Sequence, residues 1–273
     1  MKAEAFAPAK INLTLHVTGQ RDDGYHMLDS LVAFADVGDR LTFSSGPNLA
    51  LSVAGEFSSG VPIDHSNLVW QAAEAAGWTG SILLDKQLPH GGGIGGGSSD
   101  AAAVLRTATA QGSINANDIA LSLGADVPAC LYAAAARMRG IGEQIEPINL
   151  PPLPALLVNP GIAVPTGPVF SALQCRENAP MPARIPTFKT PVDCAAWLRN
   201  QRNDLEAPAM TVAPGIAAVL DALSDTRDVL LTRMSGSGST CMALYPTLKA
   251  AHFAAYEIGV AQPNWWCRAT MLS

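Results

Sequence analysis

The sequence lacks several features that would place it in a specialised class of protein. No run of eighteen apolar residues occurs in its 273 residues, so no membrane-spanning helix is expected. The five cysteines are odd in number, widely spaced and free of CxxC or CxxH pairs, which indicates neither a disulfide framework nor a zinc site. A formal net charge of −6 gives no general field to attract nucleic acid. The amino terminus lacks the sections of a signal peptide, so a cytoplasmic protein is expected.

What the chain does contain is the composition of a soluble globular protein, with 48% hydrophobic and 15% charged residues. This length can bury one large core or two modest ones, and two domains are the better interpretation. The segment NLPPLPALLVNPGIAVPTGP is rich in proline and marks a junction near Leu150. We therefore predict an α+β protein with domains at residues 1–150 and 151–273.

The amino-terminal region is predicted to be rich in strands. From Lys10, KINLTLHV alternates apolar and polar residues, which is typical of a half-buried strand. HMLDSLVAFADVGDRLTFSS predicts further strands that are broken at Gly38 and Asp39. A helix follows from Asn67 to Ala76, and SILLDKQL is a short strand.

Helices and strands alternate through the rest of the chain. Ser98, Ser99 and Asp100 are good helix starters before an alanine-rich helix that stops at Gly112. The further expected elements are helices at Ala116–Leu123, Val192–Arg199 and Gly215–Leu223, a strand at Ala155–Val158, two strands joined by a Gly/Ser hairpin within VLLTRMSGSGSTCMALY, and a helix from Leu248.

The most informative segment is PHGGGIGGGSS, between the predicted strand and the alanine-rich helix. Backbone amides converge on a phosphate only where side chains do not block its approach and where φ is free to be positive. The helix that follows adds its first-turn amides and the positive end of its dipole. We predict a phosphate-binding loop made of Pro89, His90, Gly91, Gly92, Gly93, Ile94, Gly95, Gly96, Gly97, Ser98 and Ser99.

Other interpretations of this loop fit less well. A flexible linker would not need a strand before it and a helix after it. Gly91, Gly93 and Gly96 satisfy GxGxxG, but no β-branched strand follows within the unit that dinucleotide binding requires. The loop lacks the lysine of GxxxxGK[ST], and the chain has no HRD or DFG signature of protein kinases. A different class of phosphate-binding loop is indicated.

PHGGGIGGGSSDAA resembles the central motif of the GHMP small-molecule kinases. The chain also carries, in order, PAKINLTLHVTGQRDDGYH before that motif and LGADVP, PGIAVPT and RMSGSGST after it. The resemblance implies a two-domain α+β fold with the active site in the cleft between domains, and it implies ATP and Mg²⁺ as cofactors. Asp100 departs from the motif, where an amide is expected as often as an acid; we expect its side chain to point away from ATP.

GQRDDGYH after the first strand narrows the resemblance to family members that phosphorylate the 2-hydroxyl of a cytidine-diphosphate-linked sugar alcohol in non-mevalonate isoprenoid synthesis. The expected partner is this small molecule, with no nucleic acid and no membrane, and the chain is expected to be a monomer or a weak homodimer. The alternatives are a homoserine- or mevalonate-type kinase of the same fold, a dinucleotide oxidoreductase and a non-catalytic nucleotide sensor.

Two residues are the candidates for catalysis. Asp126, in LGADVP, resembles the catalytic aspartate of the family and would accept the hydroxyl proton. The alternative is an aspartate that caps the next helix. Lys10 resembles the family's lysine beside that aspartate, where its charge would keep the carboxylate ionised and stabilise developing charge. Its alternative is an exposed lysine on an edge strand.

The substrate side is assigned from the same resemblance. Gly236 and Gly238, in the SGSGS turn, are expected near the phosphates, and Ser99 is the suggested ligand for Mg²⁺. The residues expected to contact the substrate are Asn12, Tyr25, His26, Thr166 and Phe170, of which the aromatic rings would recognise the cytosine. For Asn12, a buried amide that pairs strands is an equal alternative.

Overall fold

A computed structural model describes residues 2–112 and 114–273. Its strands, in chain order, are β1 (Lys2–Asn12), β2 (His16–Gln20), β3 (His26–Ser45), β4 (Ala50–Ala54), β5 (Gly80–Asp85), β6 (Ala136–Gly140), β7 (Gln144–Pro147), β8 (Leu153–Asn159), β9 (Leu231–Met234), β10 (Cys241–Leu244) and β11 (Trp266–Leu272). Its helices are α1 (Leu68–Ala75), α2 (Gly96–Ala110), α3 (Asn117–Leu123), α4 (Val127–Tyr132), α5 (Thr166–Ser171), α6 (Pro191–Leu198), α7 (Glu206–Val212), α8 (Gly215–Ser224) and α9 (Leu248–Ala261). The predicted α+β class is confirmed.

The chain divides into two compact units, each built from several segments. The first holds the described residues of Met1–Lys10, Val37–His90 and Gly95–Ala133, and the second holds Ile11–Asp36, Gly91–Ile94 and Ala134–Ser273. These units differ from a single division at residue 150, because β1 and β3 each continue from one unit into the other. The assignment of the family's two domains to 1–150 and 151–273 stays a prediction.

The first unit packs helices on a small sheet. Strand β5 runs antiparallel to the second half of β3 and parallel to β4. Helix α2 packs against α1 and α4, and its buried alanines allow this close approach. After α2 the chain forms α3 and α4 rather than a parallel strand, so this is not the βαβ unit that dinucleotide binding requires.

Antiparallel strands form the second unit. Its sheet has the order β9–β10–β8–β11, and Leu272 of β11 pairs with Ala35 of β3. The first half of β3 also pairs with β2 and β6. Helices α8 and α9 cover the strands with a core that includes Val158, Val219, Tyr245 and Ile258. In the part of the chain that the structure describes, no helix is long and apolar enough to span a membrane.

Strand β3 corrects the expected break at Gly38 and Asp39. It runs without interruption for 20 residues through both positions. A Cβ atom on Gly38 would lie 2.8 Å from the carbonyl carbon of Ala7 and 2.8 Å from the ring of Phe6, so glycine here permits close approach of β1 rather than a turn. The Asp39 side chain is fully buried and hydrogen-bonded.

The segment Lys10–Val17 corrects the expectation of one half-buried strand. Strand β1 begins at Lys2 and ends at Asn12, and β2 begins only at His16. Both faces of the segment are buried, and the polar side chains are not solvated. Asn12 donates to Ser30, and the Thr14 hydroxyl accepts from the backbone of β3, so internal hydrogen bonds replace water.

The predicted helices are confirmed with small shifts at their ends. Asn67 caps α1 by accepting a hydrogen bond from the Val69 amide at 2.8 Å. Helix α2 begins at Gly96, earlier than expected, so Ser98, Ser99 and Asp100 lie inside its first two turns and do not cap it. The α-helices α5 and α7 and the carboxy-terminal strand β11 were not predicted.

Candidate active site

The glycine segment forms a tight loop that leads directly into α2. Gly91, Gly93 and Gly95 have φ angles of 58°, 70° and 63°, in the left-handed region that favours glycine. Gly95 is the residue at the N-cap of α2 and makes no side-chain cap. The first amides of α2 therefore have no side-chain acceptor at the cap, which is the arrangement that binds anions at helix N-termini.

The glycines of this loop serve two different purposes. A Cβ atom on Gly93 would overlap the Ser235 carbonyl oxygen and lie 2.8 Å from the Gly238 amide nitrogen. A Cβ atom on Gly236 would lie 2.8 Å from the Gly93 carbonyl oxygen. In contrast, a Cβ atom on Gly91 would meet nothing within 4 Å. Gly93 thus allows the two glycine-rich loops to pack together, whereas Gly91 leaves space for a ligand.

Substituting these two glycines by alanine should separate packing from backbone strain. Both residues have positive φ, so alanine costs about 1–2 kcal/mol at each. Gly93→Ala adds overlap with the SGSGS turn, and we expect it to be less stable than Gly91→Ala by a further ~1–3 kcal/mol. Urea unfolding of the two variants measures this difference. Equal stabilities would contradict the packing role of Gly93.

The SGSGS turn joins β9 to β10 as predicted, and hydrogen bonds hold it against the glycine loop. The Ser235 hydroxyl donates to the Gly93 carbonyl at 2.9 Å and accepts from the Asn12 amide at 3.0 Å. The Thr240 amide donates to the Gly92 carbonyl at 3.0 Å. Asn203, which no sequence pattern identified, donates to the Gly236 carbonyl. The second unit thus fixes the geometry of Gly91–Ile94.

Lys10 and Asp126 form an ion pair in the first unit, although 116 residues separate them in the chain. Asp126 directly precedes α4, but its side chain makes no capping hydrogen bond, so the alternative of a helix cap does not hold. Lys10 has only 4% of its side chain exposed, so it is not an exposed edge lysine. The Asp126 side chain is 42% exposed and open to a substrate.

This ion pair lies against the end of the glycine loop. A Cβ atom on Gly95 would approach Lys10 Cβ to 3.2 Å and Cys130 Sγ to 3.7 Å. The pair therefore sits where the loop enters α2. Burial raises the pKa of Cys130 to about 12, so this thiol is neutral and does not act as a nucleophile. The accessible reactive group beside the loop is the Asp126 carboxylate.

The remaining loop residues have varied surroundings. Ile94 is buried in the core, and His90 is exposed with its Nε2 atom in contact with the Phe57 carbonyl. The Ser99 hydroxyl is buried and donates to the Pro8 carbonyl at 2.7 Å, which leaves only lone pairs for a metal ion. Asp100 lies on the buried face of α2, and its side chain pairs with Lys86 at 2.9 Å. Sequence reasoning missed Lys86 and Asp39, which are both buried here.

The expected substrate residues all lie in the second unit. His26 and Phe170 stack, with ring centroids 4.5 Å apart and planes 23° apart. His26 Nε2 is buried with no hydrogen-bond partner among the described residues. Burial and the charge of Arg176 lower the pKa of His26, so its ring is neutral at pH 7. Tyr25 is 57% exposed, and the Thr166 hydroxyl lies 3.0 Å from that of Ser237.

Asn12 keeps both of its interpretations. Its side-chain amide donates to Ser30 Oγ at 2.8 Å, which is the role of a buried pairing amide.

Within the described ranges, no cluster of three or more His, Cys, Asp or Glu side chains could hold a metal ion.

Comparisons with known proteins identify the family of the chain. The models of the GHMP kinases N terminal domain and of the GHMP kinases C terminal match residues 67–134 and 194–261. The 4-diphosphocytidyl-2-C-methyl-D-erythritol kinase of Dinoroseobacter shibae is 55% identical over 98% of this chain and 94% of its own. That of Ruegeria pomeroyi is 49% identical over 98% of both chains.

Solved structures give the same result at the level of the fold. A crystal structure of 4-(cytidine 5'-diphospho)-2C-methyl-D-erythritol kinase is 35% identical, covers 99% of both chains and has a TM-score of 0.77. The homoserine kinase from Cytophaga hutchinsonii, at 19% identity and a TM-score of 0.65, shares the fold alone. The chain therefore belongs to the GHMP kinase family, in its branch of 4-diphosphocytidyl-2-C-methyl-D-erythritol kinases.

Proposed function

We propose that this chain transfers the γ-phosphate of ATP to the 2-hydroxyl of 4-diphosphocytidyl-2-C-methyl-D-erythritol. The observation that carries the proposal is the ion pair of Lys10 and Asp126 against Gly95, where the glycine loop enters α2. An anion site beside an accessible carboxylate supplies the two requirements of phosphoryl transfer to an alcohol, which are a bound donor and an acceptor for the hydroxyl proton.

The loop binds the triphosphate in this proposal. The first amides of α2, which have no side-chain cap, donate to a phosphate oxygen. When bound with ATP, Mg²⁺ neutralises charge on the phosphate oxygens and lowers the cost of bringing a second negative group near them. The Asp100 carboxyl group pairs with Lys86, which limits its repulsion of a bound nucleotide.

Asp126 accepts the proton of the 2-hydroxyl as its oxygen attacks the γ-phosphorus. The bond from that phosphorus to the β-phosphate oxygen breaks, and ADP leaves with the electron pair. Lys10 stabilises the negative charge that develops on the attacking oxygen, and its ion pair with Asp126 orients the carboxylate. Because Lys10 is almost fully buried, water screens its charge weakly at this position.

The cytidine end of the substrate is recognised by the second unit. The stacked rings of His26 and Phe170 offer an aromatic surface for a pyrimidine, and the unpartnered Nε2 of His26 can bond to the polar edge of cytosine. Tyr25, with its exposed ring, can pack on the other side of the base.

Removing one ring of this surface should weaken substrate binding selectively. A base that stacks on an aromatic side chain gains about 1–3 kcal/mol, so Phe170→Ala should raise the KM for the cytidine substrate by roughly 5- to 100-fold. The KM for ATP should stay unchanged. The matched control is Phe253→Ala, which removes an exposed phenylalanine ring of α9. Equal effects on both KM values in steady-state kinetics would argue against base recognition by Phe170.

One assay tests the proposed reaction directly. The protein is incubated with ATP, Mg²⁺ and the cytidine substrate, and ³¹P NMR is used to follow a new phosphomonoester beside an intact diphosphate bridge. Transfer to homoserine or mevalonate alone would refute the substrate assignment. Binding of ATP without transfer to any of these alcohols would indicate a nucleotide sensor.

A further inference from the structure

A buried charge cluster outside the catalytic pair lies beneath the glycine loop. It consists of Lys86, Asp39 and Asp100, whose side chains are at most 5% exposed. The ammonium of Lys86 contacts Oδ2 of Asp39 and lies 2.9 Å from Oδ2 of Asp100. Burying one cation with two carboxylates carries a large desolvation cost, which apolar side chains of the same volume would avoid.

Asp39 fixes the chain where it enters the loop. Its Oδ1 atom accepts hydrogen bonds from the backbone amides of Gln87 at 2.6 Å and Leu88 at 2.9 Å. These two residues directly precede Pro89, and Leu88 is buried. The carboxylate of β3 thus determines the direction in which the chain leaves β5 and begins the loop.

The same cluster fixes the chain where it leaves the loop. A Cβ atom on Gly96, the first residue of α2, would lie 3.4 Å from Lys86 Nζ and 3.7 Å from Asp39 Oδ2. Asp100, one turn further along α2, contributes the other carboxylate. Lys86 therefore links Asp39, which holds the Gln87 and Leu88 amides, to the first turns of α2.

We propose that Asp39 is a positioning residue for the nucleotide. Asp39 acts through Lys86 and the Gln87 and Leu88 amides, and it fixes the spacing between the two ends of the glycine loop. The inference rests on the proposed function, because it assumes that the loop binds ATP. The separation of Leu88 from Gly96 determines which amides converge on a phosphate. A shift of the Gln87 and Leu88 end, which Asp39 holds, therefore lowers affinity for ATP without contacting Lys10 or Asp126.

The ionisation of the cluster agrees with this role. Burial lowers the pKa of Lys86, but the charges of Asp100 and Asp39 outweigh that effect and the pKa rises. Burial raises the pKa of Asp100, and the Lys86 charge only partly opposes this. Oδ1 of Asp100 has no hydrogen-bond partner in the described chain. Asp39 makes more hydrogen bonds in the cluster than Asp100 does, since it accepts from the ammonium and from two backbone amides.

Asp39→Asn is the informative substitution, because it preserves shape but not hydrogen bonding. Both oxygens of Asp39 face donors, which are the ammonium on one side and two amides on the other. An asparagine must turn its NH₂ group toward one of them, where two donors repel. We expect the KM for ATP to rise at least tenfold, with kcat within threefold and the KM for the alcohol substrate within twofold of wild type.

Asp29→Asn is the matched control for loss of a buried carboxylate. Asp29 accepts from a buried arginine, Arg137, and from the Met181 backbone amide at 2.8 Å, so it combines the same kinds of partner away from the loop. Both variants should lose stability in urea unfolding, but only Asp39→Asn should change the KM for ATP. Equal changes in both variants, or an unchanged KM for ATP in a folded Asp39→Asn, would overturn the proposal.

A second variant covers the case in which Asp39→Asn does not fold. Lys86→Gln removes the ammonium between the loop entry and α2 and keeps an uncharged hydrogen-bond donor. We expect the KM for ATP to rise at least fivefold. An unchanged KM for ATP would overturn the proposal. Titration of each protein with a non-hydrolysable ATP analogue and Mg²⁺ separates the two levels of inference. A wild-type protein that binds no nucleotide refutes the proposed function, whereas binding that is equal in wild type and variants refutes only the positioning role.

Discussion

Asp126→Asn is expected to keep its fold and its affinity for ATP and to lose about 10²- to 10⁴-fold in kcat. The asparagine cannot accept the hydroxyl proton, although it fills the same space. The variant should lose some stability, because the buried Lys10 ammonium loses its ion pair, but it should fold, because the asparagine amide oxygen can still accept from Lys10. Steady-state kinetics with the cytidine substrate gives kcat, and circular dichroism reports the fold.

A matched control for this variant is Asp118→Asn. Asp118 is an exposed acidic residue in the first turn of α3, so its substitution removes one negative charge near a helix start without touching the pair with Lys10. It should retain full activity. Near-normal turnover by a folded Asp126→Asn would show that the carboxylate does not serve as the proton acceptor.

Lys10→Met should lower kcat by about 10²- to 10³-fold, which is the usual effect of removing one group that stabilises charge in the transition state. Methionine fills the buried channel of the lysine chain without its charge. We expect the variant to fold, because the Asp126 carboxylate left without a partner is partly hydrated. The measurement is kcat at saturating concentrations of both substrates.

Lys2→Met provides the comparison for Lys10→Met on the same strand. Lys2 begins β1 and is exposed, so the identical chemical change there tests for any effect of lost charge on the protein as a whole. Activity equal to wild type in both variants would assign Lys10 a structural role only. Loss in Lys10→Met alone supports its place beside the attacking oxygen.

Local patterns predicted the helices well because their signals are local. The cap at Asn67, the alanine content of α2 and the glycine at position 112 depend on residues a few positions apart. The glycine loop predicted an anion site on the same basis. The pairing of Lys10 with Asp126 was predicted from a resemblance across the whole chain, because no local pattern relates residues 116 positions apart.

Features that depend on distant partners were not predictable in this way. Gly38 and Asp39 have low strand propensity, which predicted a break. The backbone of Ala7 approaches Gly38 closely, and the Gln87 amide donates to Asp39. Neither contact is visible in the local sequence. The polar face of Lys10–Val17 has the alternation of a solvated strand, although internal partners bury it. Strand β11 is recognised through its pairing with β8 and β3, which are distant in the sequence.

The continuity of β3 bears on how this architecture could be inherited. Residues His26–Asp36 of the strand belong to one compact unit, and Val37–Ser45 belong to the other. If recombination exchanged one unit alone, it would cut β3 in two. The unit left behind would lose part of that strand and the hydrogen bonds that this part makes to its neighbouring strands. The two units are therefore expected to descend together.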